Sequence, residues 1–463
     1  MNNLLFHQKY SPSLTLNEAI HNDEYSIAEE PLSNTWLRYV QTDKVSTRTT
    51  VDSIPIEYGV HHESNQFREY LHLPSQPTSN QSTSYHRLET INQTLSSSNP
   101  KPTLSVRDYV AQLQLIRTLR PPPSKGFQTA EATATTSSIP PPYQSDQDSF
   151  LRGNLKLTNR PRAAFLSIPN ISTPWDVYHN ISPADPRGHF LVLPTIENES
   201  NHRGQTLLQQ DCQDLVRLVS TIYPIGSLWA IYNSVGAGAS QNHIHCHMWP
   251  SPSSPSAPHN YAITQITEMM DFLDLYREED GVQVTWLKYP CMTLLISSRI
   301  RYVKDLGNVI YTILESLGDA PFNLALVNRK TNDDDDDEHD KHEEGKVEEL
   351  FYSDIEKQDL DQKLSDIDSK EEDDSMEVDV YIFIRSKERS SEIPSLKLGA
   401  SEMLGVFHAQ SQDELNHLIH IDDEDISIME KALKDVSYER EWELWDKIKD
   451  KLLSLQSSII QRN

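Results

Sequence analysis

Cysteine is almost missing from this chain: Cys212, Cys246 and Cys291 are the only three in 463 residues. An odd, scattered set cannot build a disulfide framework or a cysteine zinc cluster, which predicts a reducing compartment. Basic residues are outnumbered, 41 Lys and Arg against 69 Asp and Glu, for a net charge of −28. A nucleic-acid or anionic-membrane partner needs a basic face to displace counterions, so both classes are excluded. Long apolar runs are also missing. Mean hydropathy is −0.59, and no stretch approaches the ~20 residues that cross a bilayer. The first ten residues carry neither the basic nor the apolar region of a secretory signal. A cytoplasmic location is the expectation. Glycine is scarce as well, with 14 in all, or about 3% where roughly 7% is ordinary. Wherever glycines gather is therefore informative.

The length suggests two to three domain equivalents at about 150 residues each. Residues 73–101 are rich in Ser, Thr, Asn, Gln and Pro, and residues 121–149 carry two Pro-Pro-Pro runs. Neither buries enough apolar surface to offset the entropy of ordering, so both are expected to be mobile. A third segment, residues 331–376, holds 21 acidic residues against five lysines, a net of −16. A self-repelling solvated loop explains it better than a cation site. It interrupts two strand-like runs, Asn323 to Val327 and Val378 to Ile384, and reads as an insertion in a strand connection.

The remainder alternates strands and helices. Strands are predicted over Ala163 to Ile168, Trp175 to Ile181, His189 to Leu193, Leu228 to Tyr232, His243 to Trp249 and Met292 to Ser297. Helices are predicted over Thr206 to Thr221, Lys304 to Leu317 and Asp425 to about Leu455, the last broken near Val436 to Tyr438. Leu207, Leu208, Leu215, Leu218, Val219 and Ile222 recur at the spacing of one buried helix face. The class is α+β.

The chemistry concentrates in Asn233-Ser-Val-Gly-Ala-Gly-Ala-Ser-Gln-Asn-His243-Ile-His245-Cys-His247-Met-Trp249. On a strand, His243, His245 and His247 share one face, while Ile244, Cys246 and Met248 point to a core. Gly236 and Gly238 stand just before, where a loop can approach a phosphate closely and offer backbone N–H groups. Three readings compete. The histidines are a polar strand face that only hydrogen-bonds; or they hold zinc, since imidazoles at i and i+2 can share a metal; or one attacks phosphorus while its neighbours bind phosphate oxygens. The glycine-rich loop and Ser240-Gln241-Asn242 are unneeded for zinc and favour the third, with no metal.

His-x-His-x-His followed by two apolar residues resembles the signature of the histidine-triad superfamily of nucleotide hydrolases and transferases. Gly188-His189-Phe-Leu-Val-Leu-Pro194 is similar to the strand that precedes the site there. More narrowly, the chain resembles the GDP-hexose phosphorylases, the family of GDP-D-glucose and plant GDP-L-galactose phosphorylases. Tyr109-Val-Ala-Gln-Leu113 with Arg120-Pro-Pro122, Asn180-Ile-Ser-Pro183, Tyr232-Asn-Ser-Val-Gly236 and Asn242-His-Ile-His245 carry that likeness. So do Pro321-Phe-Asn-Leu324, Tyr381-Ile-Phe-Ile384 and the region from Glu402 to Gly405. Gly238-Ala-Ser-Gln241 looks more like diadenosine-tetraphosphate phosphorylases.

The resemblance implies a histidine-triad-like (HIT-like) fold of two tandem halves, mostly antiparallel sheet with flanking helices. Residues 1–104 would be a polar N-terminal region, 105–260 the catalytic half and 261–463 the second half with C-terminal helices. It implies a phosphorylase that cleaves GDP-hexose with inorganic phosphate, giving GDP and hexose 1-phosphate through a guanylyl-histidine, without a further cofactor. His245 would be the nucleophile, His247 would assist the leaving group and His243 would hold the site. Asn233, Gly236, Gly238, Ser240, Gln241, Asn242 and His189 would bind substrate. Other members hydrolyse nucleotides or phosphorolyse dinucleoside polyphosphates, and a weakly catalytic nucleotide-binding module is the non-enzymatic alternative. No Lys or Arg lies between Asn233 and Pro250, so Arg117, Arg120 and Arg187 are candidate phosphate clamps.

Overall fold

The computed structural model describes residues 109–111, 142–152, 173–180, 189–220, 228–249, 261–275, 281–298, 305–329, 377–411, 413–420 and 426–457. It gives the backbone alone for several further strands and helix ends. Ten strands form one sheet: β1 Arg162–Leu166, β2 Trp175–His179, β3 Phe190–Pro194, β4 Leu228–Asn233, β5 Cys246–Pro250, β6 Met269–Leu275, β7 Val282–Leu287, β8 Thr293–Arg299, β9 Phe322–Lys330 and β10 Met376–Ile384. Their order across the sheet is β6-β7-β8-β10-β9-β4-β5-β3-β2-β1. Every pairing in it is antiparallel. The strand order is thus repeated. In each half three strands form a meander, a helix crosses over, and a final hairpin inserts its second strand beside the third. Helix α1 Gln209–Ser220 makes the first crossover and α2 Val303–Leu317 the second. The halves join where β4 pairs with β9, with Asn233 opposite Asn323.

Alternation explains both faces. Val177, Phe190, Val192, Ala230, Tyr232, Cys246 and Met248 point to a core closed by α1, α2 and the C-terminal helix, through residues such as Leu215, Val219, Ile310 and Trp445. The helices approach closely because residue 307 is glycine: a Cβ there would lie 2.7 Å from the Gln213 Cα. The opposite face, with Trp229, Ile231, Trp249, Tyr381 and Phe383, is covered by the segment from Ile393 to Val436 and by Tyr109 and Ala111. That segment includes α3 Gln412–Leu418 and α4 Ile428–Asp435; α5 Glu441–Ile460 follows. Strand Tyr109–Leu113 pairs in parallel with Val406–Ala409.

The α+β class and the mostly antiparallel sheet agree with the sequence reading, as does the helix break after Asp435. Two boundaries and two strands differ. The first helix starts at Gln209, because the Asp211 carboxylate turns back to accept the Leu208 N–H at 2.7 Å. Leu208 is accordingly 49% exposed and not on the buried face. The strand expected from His243 begins only at Cys246, and β6 and β7 were not foreseen. Residues 1–104 include three strands, Ser46–Val51, Ile54–His61 and Gln66–Leu71, paired as a small antiparallel sheet. The tract 73–101 lies outside the described residues, as does 331–375. Lys330 pairs with Met376, so the acidic segment leaves and re-enters at adjacent ladder positions. Among the described residues no helix is long and apolar enough to cross a membrane.

Candidate active site

The histidine segment leaves the β-ladder just before β5, and residues 203–205 bond to it there. Ile244 donates its N–H to the Arg203 carbonyl at 3.1 Å. The Gln205 side-chain amide accepts the His245 N–H at 2.9 Å and donates to the carbonyls of His245 and Asn233 at 3.0 and 2.9 Å. One side chain thereby does what a neighbouring strand would do. The Asn242 Oδ1 accepts the Gln205 N–H at 3.1 Å, which closes the turn.

This detour separates the three histidines that strict alternation put on one face. His245 and His247 remain neighbours, with ring centroids 5.0 Å apart, and His189 joins them, 5.1 Å from His247. His189 precedes β3, and its Nε2 lies 2.9 Å from His247 Nδ1 and 3.1 Å from Asn180 Nδ2. With Asn180 donating, His189 Nε2 is the acceptor and His247 carries its proton on Nδ1. His243 is fully buried and turned elsewhere. Its Nδ1 donates to Asp148 Oδ2 at 2.6 Å, while its backbone carbonyl accepts the His245 Nδ1–H at 2.7 Å. That bond puts the His245 proton on Nδ1 and the ring lone pair on Nε2.

Asp148, Tyr143 and Phe150 were not anticipated, and Asp148 falls in the 121–149 tract expected to be mobile. Within that tract Asp148 is buried against the site, and residues 121–141 lie outside the described residues. Burial alone would raise the Asp148 carboxyl. The hydrogen bond and charge of His243, the Tyr143 hydroxyl and the Phe150 N–H outweigh it and hold the group below the usual carboxylate value. Burial, then Asp148, pushes the Tyr143 phenol up. His179, at the end of β2, is pulled down to about 3 by burial and is neutral. Gln205 was missed too. Its only sequence signal is a polar residue at the entrance to an apolar helix face.

The loop before the histidines is braced by the second half. Asn233 Oδ1 accepts from Asn323 Nδ2 at 2.8 Å and from the Ala400 N–H at 2.9 Å. Asn323 also donates to the Ala237 carbonyl, and buried Arg385 holds Asn323 and the Leu398 carbonyl. Gly236 and Gly238 have φ of 77° and 102°. The Gly238 N–H points to Glu388 Oε1 at 3.3 Å, and Gln241 Oε1 accepts from the Ser149 hydroxyl. Ser240 is exposed. Of the ten residues singled out in the sequence, then, the structure gathers His189, His245 and His247. It gives Asn233, Gly238, Gln241, Asn242 and His243 partners within the protein. Lys397, from the second half, brings a cation to the loop: its Nζ lies 2.9 Å from the Ala239 carbonyl and 2.8 Å from Glu388. Arg117, Arg120 and Arg187 lie outside the described residues. Among the described residues no group of three His, Cys, Asp or Glu side chains is arranged to hold a metal ion.

No family model matches the chain, and no curated protein matches it. Among solved structures it is similar to a yeast Ap4A phosphorylase in complex with AMP, at 11% identity and a TM-score of 0.40. The match covers 73% of this chain and 88% of that one. The same enzyme in complex with Ap4A gives 12% and 0.40, covering 78% and 99%. An ADP-glucose phosphorylase from Arabidopsis thaliana with bound ADP-glucose gives 11% and 0.28, covering 70% and 100%. Likeness at these values transfers neither fold nor activity.

Proposed function

We propose that this chain is a GDP-hexose phosphorylase working through a covalent nucleotidyl-histidine. The observation that carries the reading is the bond from His245 Nδ1–H to the His243 carbonyl, which leaves Nε2 as the nucleophile. Nε2 attacks the phosphorus next to guanosine. The N–P bond forms as the P–O bond to the second phosphate breaks, and hexose 1-phosphate departs with its bonding electrons. Inorganic phosphate then attacks the adduct, the N–P bond breaks, and GDP leaves with His245 restored. Splitting the displacement replaces one attack by a weak nucleophile with two at an activated centre. His247, paired with His189, steadies the departing oxygens. Ser240 and the remaining loop amides serve the phosphates, and Lys397 supplies positive charge beside them.

The HIT-like reading has support in the repeated strand order: one five-stranded module, duplicated, gives that sheet. Strand β10, the counterpart of β5, carries no histidine and reads Met-Glu-Val-Asp-Val-Tyr-Ile-Phe-Ile. The three unpaired, buried cysteines are consistent with a cytoplasmic location. The Gly238-Ala-Ser-Gln241 sequence favours a second substrate class, dinucleoside polyphosphates.

The test is a trapping experiment. Protein is mixed with GDP-glucose labelled at the phosphorus next to guanosine, without phosphate, then with it. Expected are a labelled, acid-labile protein adduct, its discharge as GDP on adding phosphate, and no adduct in His245→Ala. Parallel runs with GDP-mannose, GDP-L-galactose, UDP-glucose and diadenosine tetraphosphate identify base and sugar. Nucleotide binding without any adduct would leave a binding module instead.

A further inference from the structure

Tyr143, Asp148, Ser149 and Phe150 meet the histidine loop. Asp148 Oδ2 accepts from the Tyr143 hydroxyl at 2.7 Å and from His243 Nδ1 at 2.6 Å, and Oδ1 accepts the Phe150 N–H at 2.8 Å. Ser149 donates to Gln241. The Phe150 ring lies edge-on to both His243 and His245, with centroids 5.6 and 5.1 Å away. Three donors around one buried carboxylate make Asp148 an acceptor only.

A carboxylate on Nδ1 keeps the proton on that nitrogen and fixes the ring plane. Among the described residues no second bond competes, for His243 Nε2 is buried without a partner there. Holding the ring holds residue 243, and the carbonyl of that residue is the acceptor for His245 Nδ1–H. We infer that Asp148 is a positioning residue for His245. It acts through the His243 ring and carbonyl to keep the His245 proton on Nδ1 and the lone pair on Nε2. The inference rests on the reading of His245 as the nucleophile. Asp148 contacts that ring only through His243 and so sets the nucleophile's state without taking part in the transfer. A pair that was merely structural would change stability and leave the His245 tautomer alone.

The test compares wild type, Asp148→Asn and Tyr143→Phe, each with ¹⁵N-labelled histidine, using His245→Ala to assign the His245 ring signals. Wild type should show His245 protonated at Nδ1. Asp148→Asn should shift the population toward the Nε2–H form and slow adduct formation by about 10²-fold, the scale of a misplaced reacting group, with KM nearly unchanged. Tyr143→Phe, which removes one donor from Asp148, should do the same to a smaller extent. If Asp148→Asn fails to fold, Tyr143→Phe decides alone. An unchanged tautomer with an unchanged rate overturns the inference, as does a loss confined to thermal stability. Should wild type form no adduct at all, the proposed reaction falls, and the tautomer comparison still decides the role of Asp148.

Discussion

Gly238→Ala separates two explanations of the glycine-rich loop. A side chain at residue 238 would place its Cβ 2.8 Å from the Gly399 Cα and 2.9 Å from the Leu398 oxygen, and φ is +102°. Both obstructing atoms are backbone, so neither can rotate aside. A side chain at positive φ costs about 1–2 kcal/mol, and overpacking a closed contact about 1–3 kcal/mol. Together they predict a destabilisation of roughly 2–5 kcal/mol. Gly399→Ala is the control, because its Cβ would meet Glu402 and Asn233 side-chain oxygens at ordinary distances of 3.5 and 3.6 Å. It should cost no more than about 1 kcal/mol, the scale of an N-cap change, since Gly399 caps the short helix Ala400–Met403. Denaturant midpoints for both variants give the stabilities, and KM for the nucleotide gives the binding. If Gly238 existed to admit a phosphate, Gly238→Ala would keep its midpoint and raise KM. That outcome would refute the packing argument.

Four further outcomes are expected. His247→Gln should lose less than about 10²-fold in turnover, because a side-chain amide can still donate to His189, whereas His245→Ala should lose nearly all; equal losses would make His247 an essential acid. Gln205→Leu orphans the His245 N–H and two carbonyls, at about 1–3 kcal/mol for each group left unsatisfied, so both denaturant midpoint and turnover should fall, and a neutral result would contradict the role of its amide. His179 has a folded pKa near 3 against 6.5 for an ordinary histidine. The unfolded chain therefore binds its proton first, and stability should fall as pH drops from 6.5 toward 3, by roughly a few kcal/mol, with a shallower slope in His179→Gln. Replacing residues 331–375 by a short Gly/Ser turn should leave stability equal or slightly higher, since each halving of a loop is worth about 0.6 kcal/mol and Lys330 already faces Met376; a collapse in expression would count against it.

Local periodicity made the scaffold legible. Leu215, Leu218 and Val219 fell at helix spacing and are buried, and the runs on either side of the acidic segment do pair as one hairpin. Strand β7 was legible and overlooked, for Val282, Val284 and Trp286 alternate inward. Strand β6 was not. It is an edge strand whose exposed Met269, Met270 and Phe272 are apolar, so the alternation that turns Leu273 and Leu275 to the core is masked in the sequence.

The site divides along the same line. The spacing of His243, His245 and His247 was visible, but their common face was not real, because Gln205, 40 residues upstream, draws His245 off the ladder. With the ladder broken, His243 turns to Asp148, 95 residues away, and a partner that distant leaves no period in the sequence. The scarce glycines marked a place of close approach. A glycine reports that something comes close, and it does not report what. With β9 seated beside β4, the chain that follows β10 reaches the loop through Lys397, Leu398, Gly399 and Ala400. Gly238 therefore meets the backbone of Gly399, and the loop in front of the histidines is held in place by the half of the protein that has no histidines in its matching strand.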